Sequence, residues 1–317
     1  MFHKNILSYV SLIVIGCFLT ACTDSQRPLR VGSNQWLGYE TLYLARSLGY
    51  FDGKNIELVG LNSATTVTHA FQNGILDVAA LTLDEVLTLT QTEQDLRVIL
   101  VMDTSSGADA LLAAPSVASL ADLRHKRIGV ENTAVGALVL VAALADAGLT
   151  ISDVDVVPLT VDKHFRSFSE GEIDAVVSFE PVISQLQKSG AKTLFDSTKM
   201  PGQIIDVLVT RQAVIDNRSP ALETLIQQQL KALAYFEAEP EKSVALISPR
   251  MGTTTEGLMQ GYKGVTLPNL EGNRALMGGH NPPLMNSANK LISLMIKEKL
   301  LYKAPSIDQL IENKFIL

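Results

Sequence analysis

Two stretches of this chain repeat each other 97 residues apart, and that spacing limits the folds open to it. Arg30-Val31-Gly32 recurs as Arg127-Ile128-Gly129, and Phe71-x-x-Gly74-x-Leu76-Asp77 recurs as Phe168-x-x-Gly171-x-Ile173-Asp174. The second signature reads as a helix with a buried Phe, a glycine in the left-handed position after its last turn, and a buried strand behind the Asp. Many α/β units share parts of this grammar, but two matches at one spacing point to two similar lobes. Around them, apolar strand patterns (among them residues 29–32, 78–81, 127–130 and 175–178) alternate with helical ones. Such alternation predicts an α/β fold, each lobe a mostly parallel sheet flanked by helices.

Residues 116–204 read as one compact α/β block. The apolar pattern at 205–210 has no partner of its own there and reads as the chain returning to the first lobe, with the nearly all-helical stretch after Pro220 packing on that lobe's sheet. The expected division is therefore 29–115 plus 205–317 as lobe 1 and 116–204 as lobe 2. Two crossovers between them would form a hinge, and a hinge between two α/β lobes forms a cleft.

The start of the chain is a separate object. Residues 6–19 are largely apolar and follow Lys4 with no acid nearby. That run is short of the ~20 residues a membrane span needs and suits a signal-peptide core. Leu19-Thr20-Ala21-Cys22 then resembles the lipobox of bacterial lipoproteins. The expectation is a signal peptide over 1–21 and a lipidated tether over 22–28, with the lipid on Cys22. An ordinary signal peptide cut near Ala21 is the alternative. Of the two cysteines, Cys17 falls in the segment to be removed and Cys22 at the new end, so the folded part has none for a disulfide, a metal site or a nucleophile. The 26 basic and 33 acidic residues give a net charge of -7, and no Lys/Arg run exists, which excludes a nucleic-acid footprint.

Three segments carry a family resemblance: Val31-Gly-Ser-Asn-Gln-Trp-x-Gly-Tyr-Glu-x-Leu-Tyr-Leu-Ala-Arg-x-Leu-Gly-Tyr-Phe51, Phe71-x-Asn-Gly-x-Leu-Asp-Val-Ala-Ala-Leu-Thr82, and Phe179-Glu180-Pro181. They resemble the periplasmic solute-binding proteins of ABC importers, in the group that binds nitrate, sulfonates, taurine and thiamine pyrimidines. The resemblance implies the two-lobed periplasmic-binding-protein fold of type II. It also implies a monomer without cofactor or catalytic residues, which captures a small molecule and delivers it to an ABC permease, touching the membrane only through its lipid anchor. Signalling to a membrane sensor is the alternative output. An enzyme on the same fold is a third reading, against which stands the lack of any Gly-x-Ser-x-Gly, phosphate-loop or His-Glu-x-x-His motif.

In α/β sheets ligands sit beyond the carboxyl ends of the strands. The candidates there are Trp36, Tyr39, Thr82, Asp84, Ser106, Thr133, Glu180 and Asp206. Trp36, the only tryptophan, sits in a Gly-flanked turn and fits a ligand wall or plain core. Tyr39 fits the site or a staple on the helix that follows it. Thr82, Asp84 and Glu180 fit helix starts as well as ligand contact. Thr133 opens a helix whose free N–H groups could hold an anion. Asp206 lies among apolar residues, and a buried acid needs a partner. Of the five histidines, His69, His125, His164 and His280 show no ligand spacing and read as surface or structural residues. The strand-end segments hold acids and no Lys or Arg, so the expected ligand is nitrogenous: an amine, a nitrogen heterocycle or a zwitterion, with Glu180 and Asp206 as its partners.

Overall fold

The computed structural model describes residues 27–131 and 134–317. The expected signal peptide, Cys22 and Thr133 lie outside the described residues. Two sheets form the framework. In the first, β1 (Leu29–Ser33), β2 (Ile56–Gly60), β3 (Val78–Thr82), β4 (Leu96–Ser105), β10 (Ile205–Arg211) and β11 (Val265–Thr266) stand in the order β11-β4-β10-β3-β1-β2. In the second, β5 (Asp109–Ala113), β6 (Arg127–Val130), β7 (Asp155–Pro158), β8 (Ala175–Phe179) and β9 (Lys192–Asp196) stand in the order β7-β6-β8-β5-β9. β1, β2 and β3 run parallel, as do β6, β7 and β8. β10 is antiparallel to both its neighbours, β3 and β4, and β5 to both of its own, β8 and β9.

The two reversed interior strands are the ones that directly follow the crossings between sheets. β4 of the first sheet leads through residues 106–108 into β5 of the second, and β9 leads through 197–204 back into β10. The first crossing thus precedes β5, whereas the sequence suggested a boundary at 115. Asp109–Ala113 is buried on every residue, and the unbroken apolar run Ala110–Ala113 does not show which sheet will take it. The crossings are tied together by Ser197, whose Oγ accepts the Gly107 N–H at 2.6 Å and lies 3.0 Å from Ser105 Oγ.

The repeat has a packing cause. In each half the Asp carboxylate accepts the backbone N–H of an Arg at the start of a strand, Arg30 of β1 to Asp77 at 2.9 Å and Arg127 of β6 to Asp174 at 2.9 Å. A Cβ on Gly32 would lie 2.2 Å from Leu76 Cδ1, and one on Gly129 would lie 2.6 Å from Ile173 Cδ1. Glycine in the strand is what lets the residue before each Asp pack against it. Gly74 and Gly171 end their helices with φ of +69° and +71°. Helices α1 (Glu40–Ser47), α2 (Ala64–Gln72) and α3 (Leu83–Leu89) pack in the first half, α4 (Ala134–Asp146), α5 (Val161–Ser169) and α6 (Val182–Lys188) in the second. α2 and α5, the equivalents in the repeat, both have nine residues. The helical tail begins earlier than Pro220: α7 runs over Gln212–Ala238 and absorbs that proline with a kink at Arg218, φ -134°.

Candidate functional site

The cleft is built by the carboxyl ends of the parallel strands and the amino ends of the two reversed ones. β1 leads into Asn34, Trp36 and Tyr39, β3 into Thr82 and Glu85, and β8 ends at Phe179, while β5 begins at Asp109 and β10 at Ile205 beside Asp206. These side chains surround one inner pocket, a cavity of about 20 Å³, which is room for about one water. Phe179 also lines a wider groove of about 310 Å³ between the lobes, together with Gln35, Asn62, Asp162 and Arg250.

The walls are aromatic. Trp36 and Phe179, one from each half, meet edge to face with ring centroids 5.6 Å apart and planes at 87°. The floor is acidic. Trp36 donates its indole N–H to Asp103 Oδ2 at 3.0 Å, and Tyr39 donates its hydroxyl to Asp206 Oδ1. Asp206 stands between Thr82 and Asp103 in register across β3, β10 and β4. Gly38 permits this floor: a Cβ there would lie 1.6 Å from Asp103 Oδ2. Thr82 is the N-cap of α3, and its N–H donates to Glu85 Oε2 at 3.0 Å, a capping arrangement that buries Glu85.

Glu85, Asp109 and Asp206 each aim one oxygen at the interior with no protein donor: Oε1, Oδ2 and Oδ2. Burial is the leading cause that raises all of them above the ordinary carboxyl range, Asp109 to about 7. Neighbouring negative charge adds to the rise, from Asp84 on Glu85 and from Asp103 on Asp206. Asp84 and Asp103 are raised by burial in the same way. At the cleft mouth burial raises Glu40 to about 8, although Arg250 pairs with it at 2.8 Å and opposes the shift. Among the described residues, no Lys, Arg or His lines the inner pocket, and no three His, Cys, Asp or Glu stand close enough to hold a metal ion.

Of the residues expected from sequence, Trp36, Tyr39, Thr82 and Asp206 come together around the pocket. Asp84 is fully buried in the first turn of α3 without lining it. Ser106 is exposed on the first crossing, where its N–H donates to the Gly264 carbonyl at 2.8 Å. Glu180 stands apart as well: its carboxylate accepts the Ser184 N–H at 3.2 Å and the Ser184 hydroxyl at 2.9 Å, so it caps the start of α6 and is not positioned as an amine partner. The sequence reading missed Glu85, Asp109 and Phe179. Glu85 was legible as the third residue after a Thr cap. Asp109 was not, because its strand had been assigned to the other lobe.

Residues 38–243 match the family model described as NMT1/THI5 like. The chain is 26% identical over 150 residues to a protein of Brucella abortus (strain 2308) named as a binding protein, covering 46% of this chain and 47% of that one. It thus spans about half the length of that curated relative. It is 22% identical over 193 residues to the taurine-binding periplasmic protein of Escherichia coli (strain K12), 60% of each. Among solved structures, it is similar to the alkanesulfonate-binding protein SsuA from Xanthomonas axonopodis pv. citri bound to MOPS, with a TM-score of 0.73, 16% identity, and coverage of 90% of this chain and 98% of that one. It is also similar to a cysteine-to-serine mutant of DSZB in complex with biphenyl-2-sulfinic acid, with a TM-score of 0.67, 17% identity, and coverage of 92% and 98%; DSZB is a desulfurization enzyme. At these identities the structural likeness is one of fold, the two-lobed fold of periplasmic binding proteins.

Proposed function

The chain belongs to the NMT1/THI5-like family, and from that premise we propose that it is an extracytoplasmic solute-binding protein whose ligand carries a basic nitrogen and is handed to an ABC permease. The observation that carries the ligand class is the inner pocket, where Glu85, Asp109 and Asp206 each present an oxygen without a protein donor. A protonated amine or heterocycle supplies the missing donors and positive charge in one step, and a buried charge-assisted bond is roughly twice as strong as a neutral one. The faces of Trp36 and Phe179 add cation–π attraction of about 0.5–2 kcal/mol. A fully anionic solute would offer these three acceptor oxygens no donor, and would be repelled by any of the carboxyls that ionises.

A zwitterion is the second reading. Arg250 lines the outer groove that shares Phe179 with the pocket, so an acidic end of the ligand has a cation to face there. The taurine-binding relative fits that form. The enzyme reading is weaker: the chemistry-bearing groups of the pocket are carboxyls whose burial favours their neutral form, and the Tyr39 hydroxyl, which donates to Asp206 there, is itself raised well above its ordinary pKa, chiefly by burial.

Thermal-shift titration tests the ligand class with butylamine, imidazole, taurine, nitrate and ethanesulfonate as probes. A nitrogenous probe at about 100 times its Kd should stabilise the protein by about 2.7 kcal/mol. It should also shift the emission of Trp36, the only tryptophan. Stabilisation by nitrate or ethanesulfonate with none by the three nitrogenous probes would overturn the proposal.

Anchoring through Cys22 is proposed on the Leu19-Thr20-Ala21-Cys22 sequence. In a bacterial host the wild-type protein should partition with membranes, and Cys22→Ser should accumulate as an unlipidated precursor. Recovery of the wild type as a soluble protein that begins at another residue would refute the anchor.

A further inference from the structure

Glu131 follows β6 and is 4% exposed. Its Oε1 accepts both the N–H of Thr65 at 3.0 Å and the Thr65 hydroxyl at 2.8 Å. Its Oε2 faces the N–H of Val161 at 3.4 Å. Thr65 is the second residue of α2 in the first lobe, and Val161 is the first residue of α5 in the second. These helices are the partners in the internal repeat, so the two lobes aim equivalent helix N-termini at a single carboxylate. Free N–H groups and the helix dipole make each such end favourable for negative charge. Glu131 lies outside the residues that line the inner pocket and does not share its acids' lack of donors.

We propose that Glu131 is a specificity-determining residue, the cleft's own resident anion, which fills the place where the two lobes would together grip an acidic ligand group. Its carboxylate closes one lobe on the other as a bound sulfonate or sulfate would. It also keeps such groups out, both by occupying the donors and by repelling a second negative charge. The acidic inner pocket is then left as the point of ligand selection. This inference rests on the cleft being the ligand site, and it explains how a fold that binds anions in relatives can carry a cleft that selects for positive charge.

The test uses sulfate and methanesulfonate as probes in isothermal titration of wild type, Glu131→Ala and Glu131→Ser, the serine variant covering a failure of the alanine one to fold. The expected result is a gain of about tenfold or more in affinity for either anion when the carboxylate is removed. Adding Thr65→Val, which deletes the hydroxyl donor, should reverse most of that gain. Butylamine affinity should show no such gain, because the freed helix N-termini offer donors and no acceptor to a cation. Folded variants that bind sulfate and methanesulfonate no better than wild type would overturn the proposal. Equal gains in affinity for sulfate and for butylamine in Glu131→Ala would overturn it too, because they would mean a site opened without regard to charge. Neither result touches the ligand class itself, which the wild-type titration with amines decides separately.

Discussion

Stability should fall as pH rises from 6.5 to 8.5, the reverse of what acid-rich proteins usually show near neutrality. The cause is the buried carboxyls. Asp109 is raised to about 7 and Glu40 to about 8, and Asp84, Glu85, Asp103 and Asp206 are raised as well, in every case chiefly by burial. An acid whose folded pKa is raised binds more protons folded than unfolded at intermediate pH. Its stabilising contribution is complete below the unfolded value, about 4, and is lost as pH rises through the folded value. Two other kinds of group act outside this window. His164 is buried and lowered to about 4, so it weakens the fold only as pH falls below about 6.5. Asp122, Asp153 and Asp174 are held below the ordinary range by their hydrogen bonds, so their contribution is lost only in acid below about pH 4. Between pH 6.5 and 8.5 the loss should be on the order of 3 kcal/mol, at 1.36 kcal/mol per pKa unit. That corresponds to a drop of roughly 5–10 °C in Tm. Differential scanning calorimetry across the window reads it directly, and a flat or rising Tm would contradict the picture of a buried acidic floor. A bound amine should flatten the slope, because it substitutes a positive charge for the protons.

Asp206→Asn should move stability and affinity in opposite directions. Asp206 lines the pocket, opposes Asp103 across the sheet, and keeps Oδ2 without a donor. Replacing it with an amide removes a carboxyl whose ionisation burial and the charge of Asp103 disfavour, while keeping an oxygen for the Tyr39 hydroxyl. The ligand-free variant should therefore be more stable above pH 7, by about 1 kcal/mol or more. The same change takes away one partner of a desolvated charge pair with the ligand, which costs about 2–5 kcal/mol of affinity, or roughly 30- to 3000-fold. Calorimetric titration with the amine that stabilises the wild type, set beside the two melting curves, reads both effects. Unchanged amine affinity in Asp206→Asn would remove Asp206 from the ligand's contacts. A fall in stability together with affinity would mean that the residue acts through the fold.

Much of this architecture was legible because it is written in local chemistry. The Gly-x-Leu-Asp and Gly-x-Ile-Asp signatures encode a left-handed helix stop, a strand entry and a carboxylate that grips the preceding strand. Each is a short-range requirement that a single sequence displays. The return of residues 205–210 to the first sheet was legible for the same kind of reason, as a buried strand with nothing beside it to pair with. Trp36, Tyr39 and Thr82 were legible as cleft-facing because they follow strands of the parallel set, whose carboxyl ends point one way.

What sequence alone determined was the alternation of elements, their pairing into two lobes and the acidic character of the strand ends. Tertiary structure alone decided which of those acids meet. Asp109 joins the site because β5 runs backwards in the second sheet, so that its start lies where its neighbours end. Strand direction is set by pairing between residues far apart in the chain and leaves no trace in a uniformly apolar segment. Glu180 leaves the site because Ser184, one turn on, offers it two donors. Glu131 gains its role because two helix starts 97 positions apart converge on it. A carboxylate's function depends on the donors that surround it in space, and only the folded chain brings those donors together.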